Sequence, residues 1–135
     1  MLLAAARAGA TAADVVRVYG LALQARRDEL NRRYSANGSN SAAVRMRYYQ
    51  AVQDATTENR RAELKCLQAL SQLAPRNLEY TQYQVDCLVG LQEYRQAAQV
   101  CWRASTRLPA GSERDRWRAL ADQYRQRADN ARRRG

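Results

Sequence analysis

The sequence predicts an all-α protein of about six helices. It would be built as antiparallel helical hairpins between a leading helix and a C-terminal capping helix. Three observations predict this. Apolar residues return every three or four positions through most of the chain, as one buried helix face requires. Only two prolines and six glycines occur in 135 residues, which leaves little punctuation for a many-stranded sheet. Cap signals and turn formers stand where the periodic stretches begin and end. Apolar residues make up 46% and charged residues 27%, enough for one packed domain or one short repeat array.

The first segment, 1–34, contains the leading helix. Thr11 followed by Asp14 has the spacing of an N-cap with an acid at the third helical position. Val15, Tyr19, Ala22, Leu23, Leu30 and Tyr34 then share a face. Asp14 suits the positive end of the helix dipole, and Arg32 and Arg33 suit the negative end. Gly20 costs about 1 kcal/mol in a helix interior, so it implies a close approach of backbones or a bend. Residues 35–41 are turn formers and read as a linker, with Ser41 placed to cap the next helix.

In 42–75, Val44, Tyr48, Ala51, Val52 and Ala55 line up, and the stretch from Asp54 to Asn59 weakens the pattern. Ala62, Cys66, Ala69, Leu70 and Leu73 form a second stripe that stops near Pro75. Two helices are the preferred reading. One long helix is the alternative, because the combined stripe nearly keeps phase if Asn59 sits on it. In 76–109, Asn77 caps a helix to about Leu88 or Val89, Gly90-Leu91-Gln92-Glu93 is a tight turn, and a helix with Tyr94, Ala97, Ala98, Cys101, Trp102 and Ala104 runs to Leu108 before Pro109. In 112–135, Ser112 with Asp115 forms a second cap-and-acid pair. The helix it opens carries Trp117, Leu120, Ala121, Tyr124 and Ala128 on one face.

Charge and cysteine usage narrow the function. Basic residues number 23 against 13 acidic, a net +10, and Lys65 is the only lysine. Such a body is attracted to RNA, anionic lipid and acidic protein, in a salt-sensitive way. The excess is spread out, with only +1 on residues 76–111. Histidine is absent, so serine–histidine and cysteine–histidine catalytic pairs cannot be built within the chain. No phosphate loop or zinc spacing appears. No metal, cofactor or enzymatic activity is expected. Cys66, Cys87 and Cys101, an odd number without a CxxC pair, read as reduced core thiols. They point to a reducing intracellular compartment, the mitochondrial matrix or otherwise the cytoplasm. The N-terminus has no acid before Asp14, a faint presequence-like feature. No transmembrane segment is expected.

The two helices before Pro75 and Pro109 align at an offset of 35. Ala62 pairs with Ala97, Cys66 with Cys101, Ala69 with Ala104 and Leu73 with Leu108. With Tyr94 and Leu88 added, the stretch 77–109 resembles the tetratricopeptide repeat family. It departs from the family pattern at Thr81 and Val85, and 42–75 is a degenerate match. The resemblance implies an α-solenoid fragment, with 112–135 as a basic capping helix. It also implies a partner-binding groove lined by Glu79, Gln82, Tyr83, Asp86 and Val89, with Arg47, Tyr48, Ala51 and Asp54 as the nearest upstream counterparts.

The expected function is a non-catalytic protein–protein interaction module, a small adaptor or accessory subunit of a larger, mitochondrial or other assembly. Its partners would be other subunits. The first alternative is a basic RNA-binding or ribosome-associated protein, with Tyr48, Tyr49, Tyr80 and Tyr83 stacking bases beside Arg45 and Arg47. The second is a bacterial secretion-type chaperone of the same repeat family. Arg114, Arg118, Arg125 and Arg132 form a basic face on the last helix, suited to RNA, acidic protein or lipid headgroups at the membrane surface. An unbroken helix across 42–74 would remove the repeat, and with it the grounds for the adaptor reading.

Overall fold

The computed structural model describes residues 11–35 and 41–134. Among them are five helices and no strand: α1 (Ala12–Ser35), α2 (Ala42–Leu73), α3 (Leu78–Gly90), α4 (Tyr94–Thr106) and α5 (Ser112–Arg134). The presequence-like residues before Thr11 and most of the 35–41 linker lie outside the described residues. All-α architecture is therefore as expected, with each helix packed on the next and α1 also touching α3.

The count differs from the sequence reading because 42–73 is one helix of 32 residues. Nothing between Ala42 and Ala74 breaks a helix, since no glycine or proline occurs there. The polar stretch that weakened the stripe makes stitches to α1 in place of a turn. Arg27 Nη2 donates to Thr56 Oγ1 at 3.3 Å, and Asn59 Nδ2 donates to the Tyr19 carbonyl at 3.0 Å. Thus α1 is not a separate leading helix but the partner strut of α2. The two form one long antiparallel hairpin, followed by the short α3–α4 hairpin and then α5.

The 35-residue offset does not survive in three dimensions. Ala97, Cys101 and Ala104 of α4 are buried, but their counterparts are not: Ala62 is exposed and Cys66 and Ala69 are only partly covered. Leu73 is 54% exposed. The inward face of α2 runs through Leu64, Leu67 and Leu70. Residues 42–75 are therefore not a helical hairpin repeat, and the expected repeat pair is absent.

Most boundaries follow local chemistry. Thr11 and Asp14 close a reciprocal capping box: the Thr11 N–H donates to Asp14 Oδ2 at 2.8 Å, and the Asp14 N–H donates to Thr11 Oγ1 at 3.2 Å. The bond from the Thr11 N–H, joined by one from the Thr11 hydroxyl at 3.1 Å, holds the Asp14 carboxyl below its usual pKa. Ser41 and Asn77 cap α2 and α3 through their side chains. At the α3–α4 turn the Glu93 N–H reaches the Leu88 carbonyl at 2.9 Å, with Gln92 at φ 60°. That is a left-handed closing turn built without glycine. Ser112 does not cap α5. It is the first helical residue, and the Gly111 carbonyl accepts from the Asp115 N–H at 3.1 Å.

The core lies where α2, α3, α4 and α5 meet, around Leu67, Leu70, Val85, Leu88, Cys101, Trp117 and Ala121, with Ala12 and Val15 closing it from α1. The fully buried Trp117 donates from Nε1 to Glu113 Oε1 at 3.3 Å. Arg60 donates to the Gly90 carbonyl at 2.9 Å, and Arg61 pairs with Glu93 at 2.9 Å, which pins the α3–α4 turn to α2. A Cβ at Gly90 would come within 3.1 Å of the Arg60 guanidinium, so glycine there admits that cap. Gly20 has nothing within 4 Å and serves no close packing.

Candidate interaction surfaces

The residues implied as a groove do not form one. Glu79, Gln82, Tyr83 and Asp86 do share α3. Gln82 Nε2 donates to Asp86 Oδ1 at 3.1 Å, and the Tyr83 ring packs partly against the core. Arg47 and Tyr48 are elsewhere. From Arg60, which meets the end of α3, they lie a further 12 to 13 residues back along α2, about 18 Å at 1.5 Å per residue. Tyr48 is occupied with the α1–α2 contact, its ring 5.8 Å from that of Tyr34 and 5.6 Å from that of Tyr49. Tyr80 is buried and presents no ring for base stacking.

The first surface the structure does present is an arm. Beyond Arg60, α2 continues for about 27 Å to Ala42, with α1 as its packing partner. Between Gly20 and Ala55, Leu30 and Ala55 are the only buried residues among those described, and Ala55 is still 9% exposed. Leu21, Met46 and Tyr49 stand exposed on it.

The second surface is α4 and the grooves beside it. One face of α4 is buried through Ala97, Ala98, Cys101, Ala104 and Ser105. The other carries Arg95, Gln99, Trp102 and Arg103. On the α5 side lies a groove of about 660 Å³ walled by Arg95, Trp102, Arg103, Arg125 and Asp129. On the α2–α3 side lies one of about 890 Å³, with Arg76, Arg103 and Arg107 over Leu78, Val100 and Leu108, and no carboxylate in its lining.

The expected basic face of α5 takes part in this surface. Arg118 lies with its guanidinium carbon 5.3 Å from the centre of the Trp102 ring. Arg114 and Arg118 are half-buried, each with a covered Nε lacking a hydrogen-bond partner. Arg125 pairs with Asp122 at 3.1 Å, and Arg132 is exposed near the end of α5. Glu113 pairs with Arg116 at 3.0 Å, whereas Arg118 lies over the Trp102 indole.

The thiols are structural in placement. Burial pushes Cys87 up to about 12 and Cys101 up to about 11, and the Glu63 carboxylate beside Cys87 adds to the first. Cys66 is raised by partial burial, opposed by a hydrogen bond from Tyr19. Glu63 is itself raised by desolvation, which a bond from the Cys87 thiol and the charge of Arg60 oppose. Thiols so raised are protonated at neutral pH and poor nucleophiles. Among the described residues no three of Cys, Asp and Glu are grouped to hold a metal ion. No described helix is long and apolar enough to cross a membrane.

The sequence reading counts Trp102 in the apolar stripe of α4, whereas it is 46% exposed, and it passes over the arginines of that helix. The signal was present, since 94–107 contains Arg95, Arg103 and Arg107 and no acid. Comparisons of the chain with family models, with curated proteins and with solved structures find no match.

Proposed function

We propose that this protein is a non-catalytic interaction module, an accessory subunit that engages a protein partner through the α1–α2 arm. The observation that carries this is the arm's thin seam. Thirty-six positions span Gly20 to Ala55, five of them outside the described residues, and among the rest the two buried side chains are Leu30 and Ala55. Isolated helical pairs of this kind owe most of their stability to burial of an apolar face. Leu21, Met46 and Tyr49 leave such surface uncovered, and large side chains of this kind anchor protein interfaces. The α3 groove no longer supports the reading, because its upstream half lies on the arm and the repeat it depended on is absent. The likeness of 77–109 to a tetratricopeptide unit is confined to the α3–α4 hairpin and supplies a helical scaffold, not a ligand.

Photo-cross-linking residues placed at positions 46 and 49, with position 79 on α3 as the comparison site, test this in native extract. Partner adducts at 46 and 49, lost on competition with unlabelled protein and absent from the Met46→Glu/Tyr49→Glu protein, support the arm. Adducts at 79 alone contradict it.

A further inference from the structure

We infer that the outer face of α4 is a docking surface for single-stranded nucleic acid, with Trp102 as its stacking platform and Arg76, Arg103 and Arg107 as its phosphate contacts. This does not rest on the arm, which lies on the other hairpin. Three observations carry it. First, charge is segregated within a segment whose sum is only +1: Glu79 and Asp86 sit on α3 and Glu93 is held by Arg61, while α4 itself carries no acid. Second, Arg76, Arg103 and Arg107 make none of the ion pairs found among the described residues, yet all three line the groove that has no carboxylate. Arg103 also walls the neighbouring groove, so one cationic ridge separates two troughs.

Third, an indole stands 46% exposed next to Arg103 in the α5-side groove, where Arg95 and Arg125 outnumber the one carboxylate, Asp129, and the Arg118 guanidinium holds it. Arginine clusters alone suit acidic peptides and nucleic acids equally. An open aromatic face among them favours the latter, because every base has a π-face to stack and a carboxylate side chain has none. Arginines along the backbone with a ring for the bases is the arrangement that single-strand binders use.

The protein contains two tryptophans, and the other, Trp117, is fully buried. Emission quenching therefore reports on Trp102. A uridine dodecamer and a glutamate dodecapeptide are titrated into the full chain in parallel at physiological salt. The oligonucleotide is expected to quench Trp102 and to bind with a log–log salt slope reflecting several phosphates. Trp102→Leu should weaken it about tenfold. Arg103→Ala and Arg107→Ala should each reduce the salt slope by about one. Arg103→Lys should restore most of the slope while Trp102 is intact. Retained helicity and Trp117 emission establish that Trp102→Leu folds. Equal binding of the acidic peptide, indifferent to Trp102→Leu, assigns the surface to acidic protein and overturns the inference. Absence of oligonucleotide binding at physiological salt overturns it as well.

Discussion

Truncating Leu67 and Leu73 in turn separates the observed phase of α2 from the repeat alignment. The alignment makes Leu73 the core residue by pairing it with Leu108, whereas in the structure Leu67 is 0% exposed and Leu73 is 54% exposed. Leu67→Ala leaves a cavity between α2 and its neighbours, at a cost of about 3 kcal/mol. With an unfolding entropy near 2.1 cal/mol/K per residue, 135 residues lose roughly 0.28 kcal/mol per degree, so the melting temperature should fall by about 11 °C. Leu73→Ala removes an exposed side chain and should cost under about 0.5 kcal/mol, or roughly 2 °C. Differential scanning calorimetry on both variants measures this. A fall at Leu73 as large as that at Leu67 would refute the assigned face of α2.

Gly20→Ala should stabilise the protein by about 1 kcal/mol, because the site is helical and nothing within 4 Å obstructs a methyl group; chemical denaturation checks it. Gln92→Gly should stabilise by about 1 kcal/mol in the same assay, since it relieves a left-handed side-chain residue at φ 60°. The raised thiols give a pH dependence of known sign. Cys87 and Cys101 are favoured as neutral thiols in the fold, with pKa values of about 12 and 11 against 9.0 for the free group. Their contribution is complete below about pH 9 and is lost as pH rises from there through 11 and 12. Urea midpoints should hold between pH 7.5 and 8.5 and fall above pH 9, and Cys87→Ala/Cys101→Ala should flatten the fall. Native-state alkylation at pH 7.5 should label the half-buried Cys66 ahead of both.

Helix content and most caps were legible because they are local. Thr11 with Asp14, Ser41, Asn77 and the Gly90–Glu93 turn each act within five residues, and the structure places them as the sequence indicates. The α2 break was misread because its cause is tertiary. Thr56 and Asn59 weaken an apolar stripe but find partners in Arg27 and Tyr19, up to 40 residues away in sequence. The repeat failed for a related reason. Small residues at matching spacing do not fix which face turns inward, and the longer leucines at 64, 67 and 70 decided it. The α4 surface was hidden by summation. A segment charge of +1 cancels acids on and just after α3 against arginines on and just after α4, and reading 94–107 by itself would have separated them.

The most direct test of the account is the length of α2, since the arm exists only if that helix is continuous. Spin labels carried by non-cysteine residues at the exposed positions 45 and 72 span 27 helical steps, about 40 Å at 1.5 Å per residue. Pulsed dipolar spectroscopy should return a single narrow distribution near that value. A dominant distance under about 20 Å, as a turn between Asp54 and Asn59 would give, would contradict the account and remove the arm.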